Sequence, residues 1–333
     1  MIAAEPSRRR KIPSWLPQVL GYAVSAVCLF WVLNGYDFKQ LANDFRTLDL
    51  KWVALAVVAD LTVYVCHGWR WQTLLAPVSR LSFWRTVQSI YIGLFANEVL
   101  PLRPGEVIRC YLLAHWNDLR LSVGFASAAL ERVIDGIWML IFFFITAAFS
   151  RNMPGEIVFV AELMGVGLLV ALGVFTWVLR HHHHTHAALA EGKWSSTLRH
   201  IVEGLQLMGN RRTLAITAVL SLIYFGLQVV TMWALMRAYA LDYSFWIAAG
   251  ALTIVRLGTL VPNAPGNVGL VNAAIMVAIK LFEGNENDAK GFSFVYLVAQ
   301  TAPLLIGGAI ATALTGLNIA QLRERAAARA DQH

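Results

Sequence analysis

Four ionisable residues crowd one short stretch of the chain: Glu98, Arg103, Glu106 and Arg109, with Asn97 beside them. A second group, Glu131, Arg132 and Asp135, follows in the next apolar run. An isolated charge at mid-membrane costs about 2.5–3.5 kcal/mol, so charges in this number imply pairing, water or a charged guest. Glu106 and Arg109 are spaced to pair on one helix face. Glu131 and Asp135 also share a face, with Arg132 or Arg103 as counter-charge. Two chemistries stay open. In one, the charges neutralise each other and hold a local structure together. In the other they form a ligand site: a helix starting at Gly105 aims its free N–H groups and positive dipole end into the stretch before it, Arg103 adds a guanidinium, and phosphate is the natural occupant. The Glu131–Asp135 pair could further hold one proton or a cationic headgroup.

The elements that must position these residues are written twice. Leu-Pro-Leu-Arg-Pro-Gly, Leu100 to Gly105, returns as Val-Pro-Asn-Ala-Pro-Gly, Val261 to Gly266. Placing Pro101 on Pro262 also superimposes Pro104 on Pro265, Gly105 on Gly266 and Val107 on Val268. Each copy interrupts an apolar run, because two prolines deny a continuous helix and the glycine permits a turn. Each therefore reads as helix, break, helix. In lipid such a break survives only where protein or a wet cavity satisfies the freed backbone, and paired breaks in two halves of a membrane chain point to a transport site. Gly266 then offers a second helix end, with Asn263 and Asn267 as neutral donors, and Arg256 lies in the arm entering that break.

Composition fixes the class. A mean hydropathy of +0.58, with 58% hydrophobic and 14% charged residues, describes an all-α polytopic membrane protein. Spanning-length runs fall at about residues 15–33, 52–68, 123–148, 157–179, 213–236 and 294–317, judged against the ~20 residues a span needs. The arms of the two broken segments are short for spans, so each is expected to be a hairpin, re-entrant or full-length. With two hairpins, the basic residues Arg8 to Lys11, Arg70, Arg80, Arg85, Arg109, Arg120 and those from Arg180 to Arg212 and Arg323 to Arg329 share the cytoplasmic side. Three spans between the hairpins give them opposite entry faces, an inverted repeat. The expected location is the cell inner membrane, multi-pass, with both termini cytoplasmic. The net charge of +7 fits topology and anionic lipid, with no nucleic-acid partner.

Smaller features are read plainly. Trp71 is expected at the interface with Arg70 snorkelling beside it. Asp37 to Lys51 fits either a short amphipathic helix on the membrane or a solvated loop. Cys28, Cys66 and Cys110 lack metal-ligand spacing and imply no disulfide. The His181–His184 and His186 tract fixes no metal geometry, so no metal or cofactor is assigned. The sequence holds no phosphate-binding Gly-rich loop, no His-Glu-x-x-His and no Gly-x-Ser-x-Gly, so no catalytic residue is named.

Asn97-Glu98-Val99-Leu100-Pro101-Leu102-Arg103-Pro104-Gly105-Glu106, then Arg109, Ala129-Leu130-Glu131-Arg132 with Asp135, and Pro262 with Pro265-Gly266-Asn267-Val268-Gly269, resemble the lysylphosphatidylglycerol synthase transmembrane region family, the flippase-like membrane proteins. Arg70-Trp71 is similar to the family as well. The chain departs at Asn272, where the family usually carries a glutamate, so a proton- or cation-dependent role for the second hairpin is not carried over. The resemblance covers a flippase-like domain at 15–320, between a basic N-terminus read at 1–14 and a tail read at 321–333. Within the domain lie repeat 1 at about 52–148, repeat 2 at about 213–317 and a His-containing loop at 180–212. It implies a stand-alone member that moves a membrane phospholipid or another phosphate-bearing lipid between leaflets, without a synthase domain. Two readings remain beside it: a membrane enzyme transferring a glycosyl or phosphate group on a lipid-linked phosphate, and a non-transporting partner of a lipid-synthesis enzyme in a hopanoid or glycolipid complex.

Overall fold

A computed structural model of the chain describes residues 16–34, 38–100, 103–149, 155–180, 195–259, 264–282 and 284–316. All of its regular structure is helical. In order the helices are α1 (Leu16–Leu33), α2 (Phe38–Arg46), α3 (Leu50–Leu75), α4 (Phe83–Val99), α5 (Gly105–Trp116), α6 (Leu121–Phe149), α7 (Gly155–Arg180), α8 (Ser195–Met208), α9 (Arg211–Ala238) and α10 (Phe245–Gly258). A 3₁₀ turn (Pro265–Asn267), α11 (Leu270–Leu281) and α12 (Glu286–Thr315) complete the chain. The expected apolar runs correspond to α1, α3, α6, α7, α9 and α12, and the Asp37–Lys51 segment contains the helix α2. Leu50–Leu75, Arg211–Ala238 and Glu286–Thr315 are long and apolar enough to cross a bilayer. At ~1.5 Å per residue they reach roughly 39–45 Å, more than a ~30 Å hydrocarbon core.

The broken segments are hairpins of short helices. Their arms are 17 and 12 residues for α4 and α5, and 14 and 12 for α10 and α11. Each is shorter than the ~20 residues of a straight span. In the first hairpin the arms touch at glycines. A side chain at Gly105 would collide with the Gly93 carbonyl and the Asn97 side chain, and one at Gly93 would meet Gly105 O and Arg109. Hydrogen at these positions lets the two backbones approach. In the second hairpin a side chain added at Gly258 would come within 3.1 Å of the Ala274 methyl.

The offset that places Pro101 on Pro262 also lays α3 on α9, α4 on α10, α5 on α11 and α6 on α12, each within a few residues. The chain thus runs twice through long helix, short hairpin, long helix. Among the described helices the two leading ones, α3 and α9, pack most extensively against each other. Outside the repeats, α1 packs on α11, and the Ala264 amide donates to Ser25 Oγ at 2.8 Å, so the first helix supports the second break. Pro101, Leu102, Pro262, Asn263 and the His181–His186 tract lie outside the described residues.

Candidate functional site

The charges picked out from sequence converge, but around partners the sequence did not suggest. Glu131 on α6 is 1% exposed and sits between Arg70 of α3 and Arg109 of α5, at 3.2 Å from each. Arg70 also pairs with Asp135 and donates to Ser221 Oγ on α9 at 3.1 Å. Arg109 reaches Glu106 at 2.7 Å, and Glu106 closes the chain by pairing with Arg132. Arg109 Nη1 lies 3.1 Å from His67 Nε2. The same imidazole nitrogen lies 3.5 Å from Glu131 Oε1, so it faces both a guanidinium donor and a carboxylate acceptor. The guanidiniums of Arg70 and Arg109 cover the rings of Tyr224 and Trp71, at 4.5 and 4.6 Å from their centroids.

Arg70, Arg109 and Arg132 therefore balance Glu106, Glu131 and Asp135 in one network that ties α3, α5, α6 and α9 together. The spacing arguments for Glu106 with Arg109, and for Glu131 with Asp135 on one face, agree with this geometry. The proposed counter-charges do not: Arg70 and Arg109 bind Glu131, while Arg132 turns to Glu106. Arg70 is the residue that sequence reasoning missed. It does not snorkel, and Trp71 is not an interfacial anchor; both are buried, at 1% and 0% exposure, with Trp71 Nε1 donating to Ser127 Oγ at 2.8 Å. The apolar run of the sequence stops at about residue 68, yet α3 continues to Leu75 with Leu74 and Leu75 fully buried. That apolar turn beyond Arg70 was the available signal.

The two breaks meet. Arg103 Nη1 donates to Asn267 Oδ1 at 2.8 Å. Glu98, at the end of α4, also faces the second break: its Oε2 would lie 3.7 Å from a side chain added at Gly266. That oxygen is buried and has no hydrogen-bond partner among the described residues. Both bonded residues have left-handed backbones, with φ of 50° at Arg103 and 54° at Asn267. Non-glycine residues seldom adopt that conformation, and such strain clusters at functional positions. Arg103 is half-buried, and its described hydrogen bond goes to a neutral amide.

Two details of the expected anion site differ. The Gly105 N–H is not kept for a guest, because Asn97 Oδ1 accepts it at 2.7 Å. Nor does a helix begin at Gly266. The chain makes a tight turn there, φ 72°, and α11 starts only after Gly269, whose N–H is accepted by Asn272 Oδ1 at 3.1 Å. Asn272 Nδ2 in turn donates to Ser293 Oγ at 3.0 Å, so this residue fastens the second hairpin to α12. Arg256 is bound to Gln228 and makes no described ion pair with the Glu131 network, although Asp135 acts on it. Asn263 is outside the described residues. Among the described residues no group of His, Cys, Asp and Glu side chains is arranged to hold a metal ion.

Residues 18–308 match the family described as the lysylphosphatidylglycerol synthase TM region. The chain belongs to that family. Relatives of this lysylphosphatidylglycerol synthase transmembrane-region protein include a protein of Haloferax volcanii named Glycosyltransferase AglD, 24% identical over 81% of this chain and 49% of that one. Others are UPF0104 membrane proteins. That of Methanocaldococcus jannaschii is 23% identical, over 68% of this chain and 96% of its own. One from Methanothermobacter thermautotrophicus is 19% identical, over 78% and 82%. The chain thus spans about half the length of the Haloferax relative and nearly all of the Methanocaldococcus one. Family and helices together make it an integral multi-pass membrane protein.

Proposed function

We propose that this protein is a flippase-like transporter that carries a phosphate-bearing lipid between leaflets through the junction of its two broken hairpins. The observation that carries the reading is Arg103. Its hydrogen bond between the hairpins goes to a neutral acceptor, with Glu98 as a nearby carboxylate that it does not bond in a described ion pair, whereas Arg70 and Arg109 are consumed in ion pairs. A phosphate can replace Asn267 as a bidentate, charge-assisted partner, which is the stronger bond. The repeated order of elements supports an inverted repeat, in which the hairpins enter from opposite faces and present the junction to each leaflet in turn. A cell inner-membrane location with both termini cytoplasmic belongs to the same reading. Arg70 and Arg109, now inside the bundle, no longer count toward the charge bias; Arg80, Arg85, Arg120, Arg211 and Arg212 still do.

The name of the Haloferax relative raises glycosyl transfer on a lipid-linked phosphate as the second reading. The carboxylates such chemistry would use, Glu131 and Asp135, are both engaged by Arg70, which weighs against them as acid and base. A labelled lipid in proteoliposomes decides between the two. Movement of unchanged label to the other leaflet, lost in Arg103→Ala, is the expected result. A new covalent product would support the enzyme, and no change at all would leave the role of assembly partner.

A further inference from the structure

Glu131 and Asp135 are both held in ion pairs with Arg70, but another carboxylate in the bundle is not. Asp60, midway along α3, is 2% exposed. The carboxyl accepts from Gln300 Nε2 on α12 at 3.2 Å and has the Tyr64 hydroxyl as a second hydrogen-bonding neighbour, while Oδ2 is buried without a direct hydrogen-bond partner among the described residues. An ionised carboxylate with an empty oxygen is costly in a low dielectric; a neutral carboxyl is far less so. Around it stand phenols and amides: Tyr64 on its own helix, Tyr91 on α4, and Tyr296 and Gln300 on α12. Arg256, on α10, is the cation that acts on it, but its guanidinium is given to Gln228 of α9. Tyr224 of α9 and Asp135 of α6 also act on Arg256.

We propose that Asp60 is a proton-binding site inside the bundle, and that its charge decides whether Arg256 is held by Gln228 or by the carboxylate. With a proton on Oδ2 the carboxyl is neutral and Arg256 rests on Gln228, the arrangement observed. When the O–H bond breaks and the proton passes to water, the bare carboxylate requires a cation, and exchanging a neutral amide for a carboxylate gives Arg256 a charge-assisted bond. Gln228 and Gln300 can each donate or accept, so either can follow the exchange. Arg256 occupies the last turn of α10, where its carbonyl accepts from Thr259 Oγ1 at 3.0 Å. The exchange therefore pulls on the arm that enters the second break. This link to translocation rests on the transporter reading; the proton site itself does not.

Infrared difference spectra of the purified full chain in lipid nanodiscs, recorded across a pH series, test the site without any transport assay. The expected result is a carboxylic-acid C=O band that fades as pH rises and is missing in Asp60→Asn. Arg256→Gln should keep the band and move its midpoint up by roughly one pH unit or more, the size of losing a nearby opposite charge. If Asp60→Asn does not fold, Asp60→Glu serves instead, and a displaced band supports the assignment. A band unchanged in either Asp60 variant, or no titrating band in the native chain, overturns it. A failed leaflet assay with a positive infrared result removes the transporter and leaves the proton site, and the reverse outcome does the opposite.

Discussion

Arg103 and Asn267, 164 residues apart in sequence, join the two proline breaks through one hydrogen bond of 2.8 Å, and both hold left-handed backbones to make it. Each residue belongs to a different repeat, so the bond is a direct mechanical link between the halves of the chain. Arg103→Ala is expected to abolish headgroup transfer in reconstituted vesicles with normal expression. Asn267→Ala, which spares the cation, should leave measurable transfer. Equal transfer by Arg103→Ala and the native chain would dismiss the anion site.

Glu131 and Arg132 are adjacent but differ sharply in what they hold. Removing the Glu131 charge takes one of two carboxylate partners from each of two buried guanidiniums, leaving Arg70 on Asp135 and Arg109 on Glu106, and breaking a buried pair costs up to about 3–5 kcal/mol. Glu131→Gln should thus lower the thermal unfolding midpoint steeply and reduce yield. The Arg132–Glu106 pair is exposed, and exposed pairs contribute about 0–1 kcal/mol. Arg132→Ala should leave the midpoint nearly unchanged, and comparable losses from the two substitutions would contradict the burial argument.

A methyl group at Gly105 has nowhere to go, because the Gly93 carbonyl and the Asn97 amide already fill the space. Gly105→Ala should separate the arms of the first hairpin at a cost of about 1–3 kcal/mol, typical of overpacking. Cysteines placed at facing positions of α4 and α5 would cross-link more slowly in that variant. Gly226, with nothing within 4 Å of an added side chain, is the matched control and should accept alanine without such slowing.

Asn272→Ala removes both the acceptor of the Gly269 amide and the donor to Ser293. The loss should be about 1–3 kcal/mol, the cost of leaving a buried polar group unpaired. Asn272→Asp keeps the acceptor but offers no amide hydrogens, so it should fall between alanine and the native chain in a thermal unfolding series.

Sequence alone determined the class, the long helices, the two breaks and the repeated order, because hydropathy and proline act locally and leave a one-dimensional trace. It also placed Glu106 beside Arg109, and Glu131 on the same face as Asp135, since helical spacing is a local rule. Only the tertiary structure decided which guanidinium neutralises which carboxylate. Arg70 belongs to α3 and Glu131 to α6, and no periodicity within either helix encodes their meeting. The same holds for Asn97, which accepts the Gly105 N–H at the helix end, and for Asn267, which faces Arg103. Buried charges choose partners by proximity in a low-dielectric interior, and proximity across helices exists only once the bundle has packed.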